Sequence, residues 1–140
     1  MSVITKSVEL STKGNTEVLN ITPQLCNALA ETEMQNGVLT VFVPGATGAV
    51  TTIEFESGLI QDFEELWDSI IPSKKNYNHD RAWSDGNGHS HIRAALLGPS
   101  LSIPFCTGRF TLGTWQQVVF IDFDNRSRSR KLILQFVDEL

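Results

Sequence analysis

Strand-forming runs crowd both ends of this 140-residue chain, while its helix-forming runs are confined to the interior. That distribution restricts the fold more than any other feature of the sequence. Residues 3–11 alternate in character and read as a strand. Ser11-Thr12-Lys13-Gly14-Asn15 is turn chemistry, and Glu17–Ile21 resumes a strand, so the opening reads as a hairpin. At the other end, Ser100–Phe105, Arg109–Leu112, Gln116–Asp124 and Lys131–Val137 follow one another with only short turns between them. Between these groups lie the apolar run Val38–Val43 and the alternating run Ala49–Glu56, both predicted strands.

Three segments carry helical spacing. Thr22-Pro23 marks a start, with Thr22 as cap and Pro23 in the first turn, and Leu25, Ala28, Leu29 and Thr32 form the inner stripe of a helix over 23–35. Ile60, Phe63, Leu66, Trp67 and Ile70 define a second helix, which Pro72 ends. A third runs from about Asn87 to Leu97 and stops at Gly98-Pro99. Residues 72–88 have no clear period. About eight strands and three helices in this order predict an α+β fold, mostly antiparallel, with the sheet curled into a sandwich or half-barrel and helices on one side.

The length suits one domain spanning residues 1–140, large enough to bury a core without staples. A formal net charge of −5 argues against nonspecific nucleic-acid binding, which needs a surplus of Lys and Arg. No apolar run is long enough to span a bilayer and no signal peptide is recognised. The expected location is therefore the cytoplasm. Cys26 and Cys106 lack metal-ligand spacing and are expected to be small buried residues of a reducing compartment.

Chemistry-bearing residues concentrate between Asp85 and Gln117. His79, His89 and His91 fall within 13 residues, and histidine is the commonest metal ligand. On a strand, His89 and His91 would face one way. On the predicted helix they lie about 200° apart, so only one faces a site. His91 is chosen because it shares a face with Asn87 and Ala95, which puts His89 at the rim. Glu54 and Glu56 share one face of their strand, either as a solvated face or as part of a site. His79, His91 and Glu54 together would give the two-nitrogen, one-oxygen ligand set of an open zinc site. The alternative is a surface loop with incidental histidines.

A second signal is anionic. Asn87-Gly88-His89-Ser90 opens a helix and offers backbone N–H groups to phosphate. Thr114, Gln116 and the cluster Arg126, Arg128, Arg130 and Lys131 add side-chain donors, although part of that cluster reads equally as a solvated turn. No phosphate-binding glycine loop and no nucleophile elbow is present.

The combination of Asp85-Gly86-Asn87-Gly88-His89-Ser90-His91, Ala94-Ala95-Leu96-Leu97-Gly98-Pro99-Ser100, Leu112-Gly113-Thr114-Trp115-Gln116 and Phe123-Asp124 with its arginine-rich turn resembles the YjbQ (UPF0047) family. The resemblance covers nearly the whole chain. It implies a homotrimer with a metal site and a pocket near subunit contacts. It also implies the label of secondary thiamine-phosphate synthase, a weak joining of thiazole phosphate to pyrimidine diphosphate. Family site positions fall on Glu54, His79, Asn87, His91, Thr114 and Gln116. Many relatives carry a histidine in the turn before Thr47, where this chain has Pro44-Gly45-Ala46.

The resulting expectation is a metal-dependent enzyme acting on a small phosphorylated molecule. A divalent metal, zinc first, would sit on His79, His91 and Glu54. Glu54 or His89 would move protons. Asn87, Gly88, Ser90, Thr114, Gln116 and Arg128 would hold the phosphorylated ligand. The competing expectation is a binding or regulatory protein whose metal is structural.

Overall fold

The computed structural model describes residues 1–139. Eight strands form two antiparallel sheets. The first strand, β1 (Val3–Thr12), pairs along its whole length with the last, β8 (Arg128–Asp138), from Val3 opposite Val137 to Thr12 opposite Arg128. Strand β8 also pairs with β3 (Gly37–Phe42), which pairs with β5 (Ser100–Cys106), and β5 with the short β6 (Arg109–Phe110). The second sheet is β2 (Glu17–Asn20), β7 (Gln117–Asp122) and β4 (Gly48–Ile53), with β7 in the middle.

The expected opening hairpin does not form, because β1 and β2 belong to different sheets. The turn chemistry at 14–16 serves a corner between sheets instead. Gly14, Asn15 and Thr16 all have positive φ (82°, 55° and 67°). The Asn15 and Thr16 amides donate to the Asp124 and Asp122 carbonyls. Gly14 lies so close to that strand end that a Cβ would stand 2.6 Å from the Arg126 carbonyl oxygen. A glycine meets both demands, positive φ and no side chain.

Strand β7 explains the layering. Its Val118 and Phe120 pack into one core with Leu39, Val41, Ile103, Leu132, Leu134 and Phe136 of the first sheet. Val119, Ile121 and the following Phe123 pack into another core, with Trp67, Tyr77 and Ala94. Both faces of the strand are covered, and so its sequence is continuously apolar up to Asp122. Each large side chain buried this way contributes about 1.5–3 kcal/mol.

Four helices complete the fold. The helix α1 (Thr22–Thr32) buries Leu25, Ala28 and Leu29 against the first core, as its spacing predicts. Thr22 is not its cap. Its hydroxyl accepts from the Val118 amide at 2.8 Å and ties the helix to β7. The helix α2 (Ser57–Ile70) packs Trp67 edge-on against Phe123, with ring centroids 5.0 Å apart. Glu56 caps it, its carboxylate accepting from the Gly58 and Leu59 amides at 2.8 Å each. This capping ends the predicted strand early. The chain leaves the sheet at Ile53, so Glu54 and Glu56 are not on a strand face.

The stretch without a period contains a short helix, α3 (Asn78–Trp83), that the sequence reading missed. It leads into α4 (Gly88–Leu97), which ends at Gly98 (φ 108°) as expected. Cys26 and Cys106 are both exposed, contrary to expectation. The α+β class with antiparallel sheets packed as a sandwich is as expected. Among the described residues, no helix is long and apolar enough to cross a membrane.

Candidate functional site

The buried end of β7 organises the site. Val118, Phe120 and Asp122 share the inward face of that strand, and Asp122 and Asp124 are fully buried. Such carboxylates must be paired. Arg130 Nε and Nη2 donate to the two Asp122 oxygens at 2.8 Å each, and Thr12 Oγ1 donates to Oδ2 at 2.6 Å. Arg128 Nε donates to Asp124 Oδ2 at 2.8 Å, while Asn125 N and Asn87 Nδ2 donate to Oδ1 at 2.8 and 3.3 Å. Burial works to raise both carboxyls. The combined hydrogen bonds and guanidinium charges outweigh it and hold both below the ordinary carboxylate range.

This network forms one wall of a cavity of about 340 Å³, to which Arg128, Arg130, Thr47 and the Gly45-Ala46 turn contribute. Opposite stand His79 and Trp83 of α3, Asp85 of the following loop, and Asn87 and His91 at the start of α4. Asp80 fixes these two helices to each other. Its Oδ1 accepts from the Gly88 amide at 2.9 Å and its Oδ2 from the Tyr77 amide at 3.2 Å. The Gly88 bond is the main reason its carboxyl lies below the usual range. Gly88 permits the approach, since a Cβ there would lie 2.6 Å from Tyr77 Cβ.

His79 and His91 meet in this cavity with ring centroids 4.4 Å apart. His79 Nδ1 lies 3.5 Å from Asp85 Oδ1 and 3.9 Å from Asp80 Oδ1. Both separations exceed a normal hydrogen bond, and among the described residues this buried nitrogen has no hydrogen-bond partner. Burial, then the neighbouring His79, pushes the His91 imidazole below its usual range, which favours the neutral form that keeps a lone pair. Asn87 Nδ2 is committed to Asp124, which can only accept there. That leaves Asn87 Oδ1 buried and, among the described residues, without a partner as well.

Of the residues anticipated from sequence, the structure brings His79, Asn87, His91 and Arg128 together. It does not bring Glu54, Thr114 or Gln116 to them. Asp122 pairs with Gly48 at the cavity end of the second sheet, and Gln117 pairs with Ile53 at the other end. Five strand steps separate these ends, about 17 Å. Gln116 Nε2 donates to Thr52 Oγ1 at that distant end, and Glu54 is exposed beyond it. The compact three-donor group among the described residues is instead His79, Asp80 and Asp85, with His91 beside His79 and no Glu54.

His89 is also not where the wheel argument put it. It is only 6% exposed, not at a rim, and lines a different cavity. The helix-start anion site is consumed internally. The Gly88 amide serves Asp80, and the Ser90 amide donates to the Asn87 carbonyl. Arg128 is largely spent on Asp124, with only Nη1 left free of protein partners among the described residues. Asp122 and Asp124 were missed as site builders, and Arg130 was anticipated only within a cluster of possible donors. Their signal was legible: two acids continuing the inward apolar face of a strand, followed by alternating arginines.

The family model for UPF0047 protein YjbQ-like matches residues 6–139. The chain belongs to the YjbQ/UPF0047 family. A UPF0047 protein of Archaeoglobus fulgidus is 36% identical over 126 residues, covering 90% of this chain and 95% of the relative. YjbQ of Escherichia coli O157:H7 is 30% identical over 130 residues, covering 91% and 93%. Among solved structures, a YbjQ-like protein of unknown function from Sulfolobus solfataricus P2 superposes with a TM-score of 0.93 at 25% identity, covering 99% of both chains. A YjbQ/UPF0047 protein of Clostridium acetobutylicum gives 0.86 at 30% identity, covering 94% and 99%. In this member of the family the turn before Thr47 supplies Gly45 and Ala46 to the cavity, and no histidine.

Proposed function

We propose that His79, Asp80 and Asp85, with His91 closing beside them, hold a divalent cation, zinc first, in a cavity that receives a small phosphorylated molecule. The observation that carries this reading is the buried His79 Nδ1. Among the described residues it has no partner, and it faces the Asp85 carboxylate and stands beside the His91 ring. Imidazole and carboxylate donors converging in this way, with a second imidazole alongside, suit a zinc site.

Charge sets the order of events. Asp80, Asp85, Asp122 and Asp124 bring four negative charges to the cavity walls, against two positive ones on Arg128 and Arg130. A bare phosphate is disfavoured in that field, and a cation is favoured. A cation held there supplies Lewis acidity and positive charge beside a phosphate. The remaining contacts come from the chain: Nη1 of Arg128 and of Arg130 donate, and Asn87 Oδ1 accepts from a ligand hydroxyl or amine. The reaction that the resemblance implies joins thiazole phosphate to pyrimidine diphosphate with release of pyrophosphate, and this cavity offers pyrophosphate two guanidinium edges.

Self-association belongs to the same proposal. The cavity and the Thr114–Gln116 segment lie at opposite ends of one sheet, each beside an exposed tryptophan, Trp83 at 73% and Trp115 at 72%. A head-to-tail contact between copies would set one chain's Gln116 beside another's His91, and three such contacts close a homotrimer. Light scattering tests this: a trimer that Trp115→Ala weakens supports it, and a monomeric wild type opposes it.

The competing reading, a cation-binding protein without turnover, is favoured by one observation. Neither anticipated proton carrier is in the cavity, since Glu54 is distant and His89 faces elsewhere. Calorimetry of pyrophosphate with the zinc-loaded and the metal-free protein tests the common core. Saturable binding only with zinc supports cation-first recognition, and equal binding without zinc contradicts it. Mass spectrometry for thiamine phosphate after incubation with both substrates then separates enzyme from binder.

A further inference from the structure

The face of α4 opposite His91 borders a second cavity, of about 190 Å³. That is room for about six water molecules. Its buried side is built by His89 (6% exposed), Arg93 (3%) and Thr16 (4%). Its exposed side is built by Glu64 and Asp68 of α2, with Ser73 beyond them.

Most of this frame is internally satisfied. Arg93 Nε and Nη2 donate to the Ile71 carbonyl at 3.0 and 2.7 Å. Its Nη2 also donates to Asp68 Oδ1 at 3.0 Å, and its Nη1 to Thr16 Oγ1 at 2.9 Å. Two groups are left over. His89 Nδ1 is buried with no partner among the described residues, while Nε2 makes a long 3.4 Å contact with Ser90 Oγ. With Nε2–H donating to Ser90, Nδ1 presents a lone pair. Glu64 is the second, because Asp68 takes up the one arginine. Burial and then Asp68 hold the Glu64 carboxyl above its usual range, as expected of negative charge short of a counter-ion. The cavity thus has acceptors in surplus and one negative charge more than it has positive.

We propose that this cavity is a binding site separate from the His79–His91 centre, and that it takes a small organic cation with a primary ammonium group. The ammonium donates to Glu64, Asp68 and His89 Nδ1. A bare metal ion fits less well. Among the described residues the three-donor group compact enough for one ion is His79, Asp80 and Asp85, and His89, Glu64 and Asp68 are not such a group. Hydrogen bonds near 2.9 Å reach across a wider set of acceptors than metal bonds near 2.1 Å. Lys75, from the adjoining loop, stands over the Tyr77 ring at 5.3 Å from its centroid.

The test is a titration of the full chain, labelled for imidazole NMR, with ethylammonium chloride at pH 7.5. The expected result is a saturable shift of the His89 ring signals with the His91 signals unmoved. Glu64→Gln, an exposed position, should weaken it about tenfold, the worth of one charge-assisted hydrogen bond. Tetramethylammonium, which cannot donate, should leave His89 unmoved. The proposal is overturned by no saturable response of His89 up to about 100 mM, two decades weaker than a millimolar site. An undiminished response in Glu64→Gln overturns it too, as does equal binding of tetramethylammonium. So does a saturable His89 response to zinc chloride that persists in His79→Ala, where the first centre no longer holds zinc.

Discussion

Arg130 grips the fully buried Asp122 with two hydrogen bonds of 2.8 Å, and the same Arg130 Nη2 donates to Thr47 Oγ1 at 2.7 Å. One ion pair therefore joins the end of β7, the start of β8 and the turn that enters β4. Arg130→Met removes one partner and leaves a buried charge uncompensated. The expected loss is about 3–5 kcal/mol of stability. Chemical denaturation measures it. A second change, Asp122→Leu, made in the Arg130→Met background, should recover a substantial part.

Acid sensitivity follows from the same network. Asp122 and Asp124 have carboxyls held below the ordinary range in the folded state, against about 3.9 when unfolded. The unfolded chain thus binds protons first as pH falls. Stability from these groups is present above the unfolded value and is lost as pH falls from there through the folded values. Melting temperatures between pH 7 and pH 3 should drop at the acid end. Asp124→Asn should be less stable at pH 7 and should show a shallower acid slope.

Gly88 is held to its identity by contact, not by backbone angle. A methyl group there meets Tyr77 Cβ at 2.6 Å and Asp80 Oδ1 at 3.1 Å. Gly88→Ala should force α3 from α4 and cost about 1–3 kcal/mol, the range for overpacking. It should also separate His79 from His91. Zinc affinity should fall with stability in this variant, whereas Gly113→Ala, with only ordinary contacts, should change neither.

The legible parts of the sequence were those fixed by local pattern. The α1 and α2 stripes, the apolar β3 and the doubly buried β7 follow from spacing alone, because neighbouring residues determine which face is buried. The β1–β2 hairpin was misread because β1 pairs with β8, more than a hundred residues away, and no local signal encodes that choice. Helix α3 was invisible because it has no buried stripe; Asp80 and its backbone bonds hold it. Glu54 was misplaced because period-two alternation persists past Ile53 in the sequence, while Glu56 turns away to cap α2. In the candidate site, His79, Asn87 and His91 were found as residue types. Asp85 was not, because its role rests on a 3.5 Å approach to His79 that only the folded loop creates.

Glu54 and Gln116 supply a contrast within one chain. Both lie at the far end of the second sheet, so Glu54→Gln and Gln116→Ala should leave zinc binding by isolated chains unchanged. If the head-to-tail arrangement holds, Gln116→Ala should still weaken pyrophosphate binding by the assembled protein. Calorimetry of both ligands separates these effects.

Zinc content after saturation and desalting tests the central claim most directly. The account predicts about one zinc per wild-type chain and per Glu54→Gln chain. It predicts strongly reduced zinc in His79→Ala, His91→Ala and Asp85→Asn, with circular dichroism unchanged. Full retention of zinc in those three variants, or none in the wild type, would contradict it.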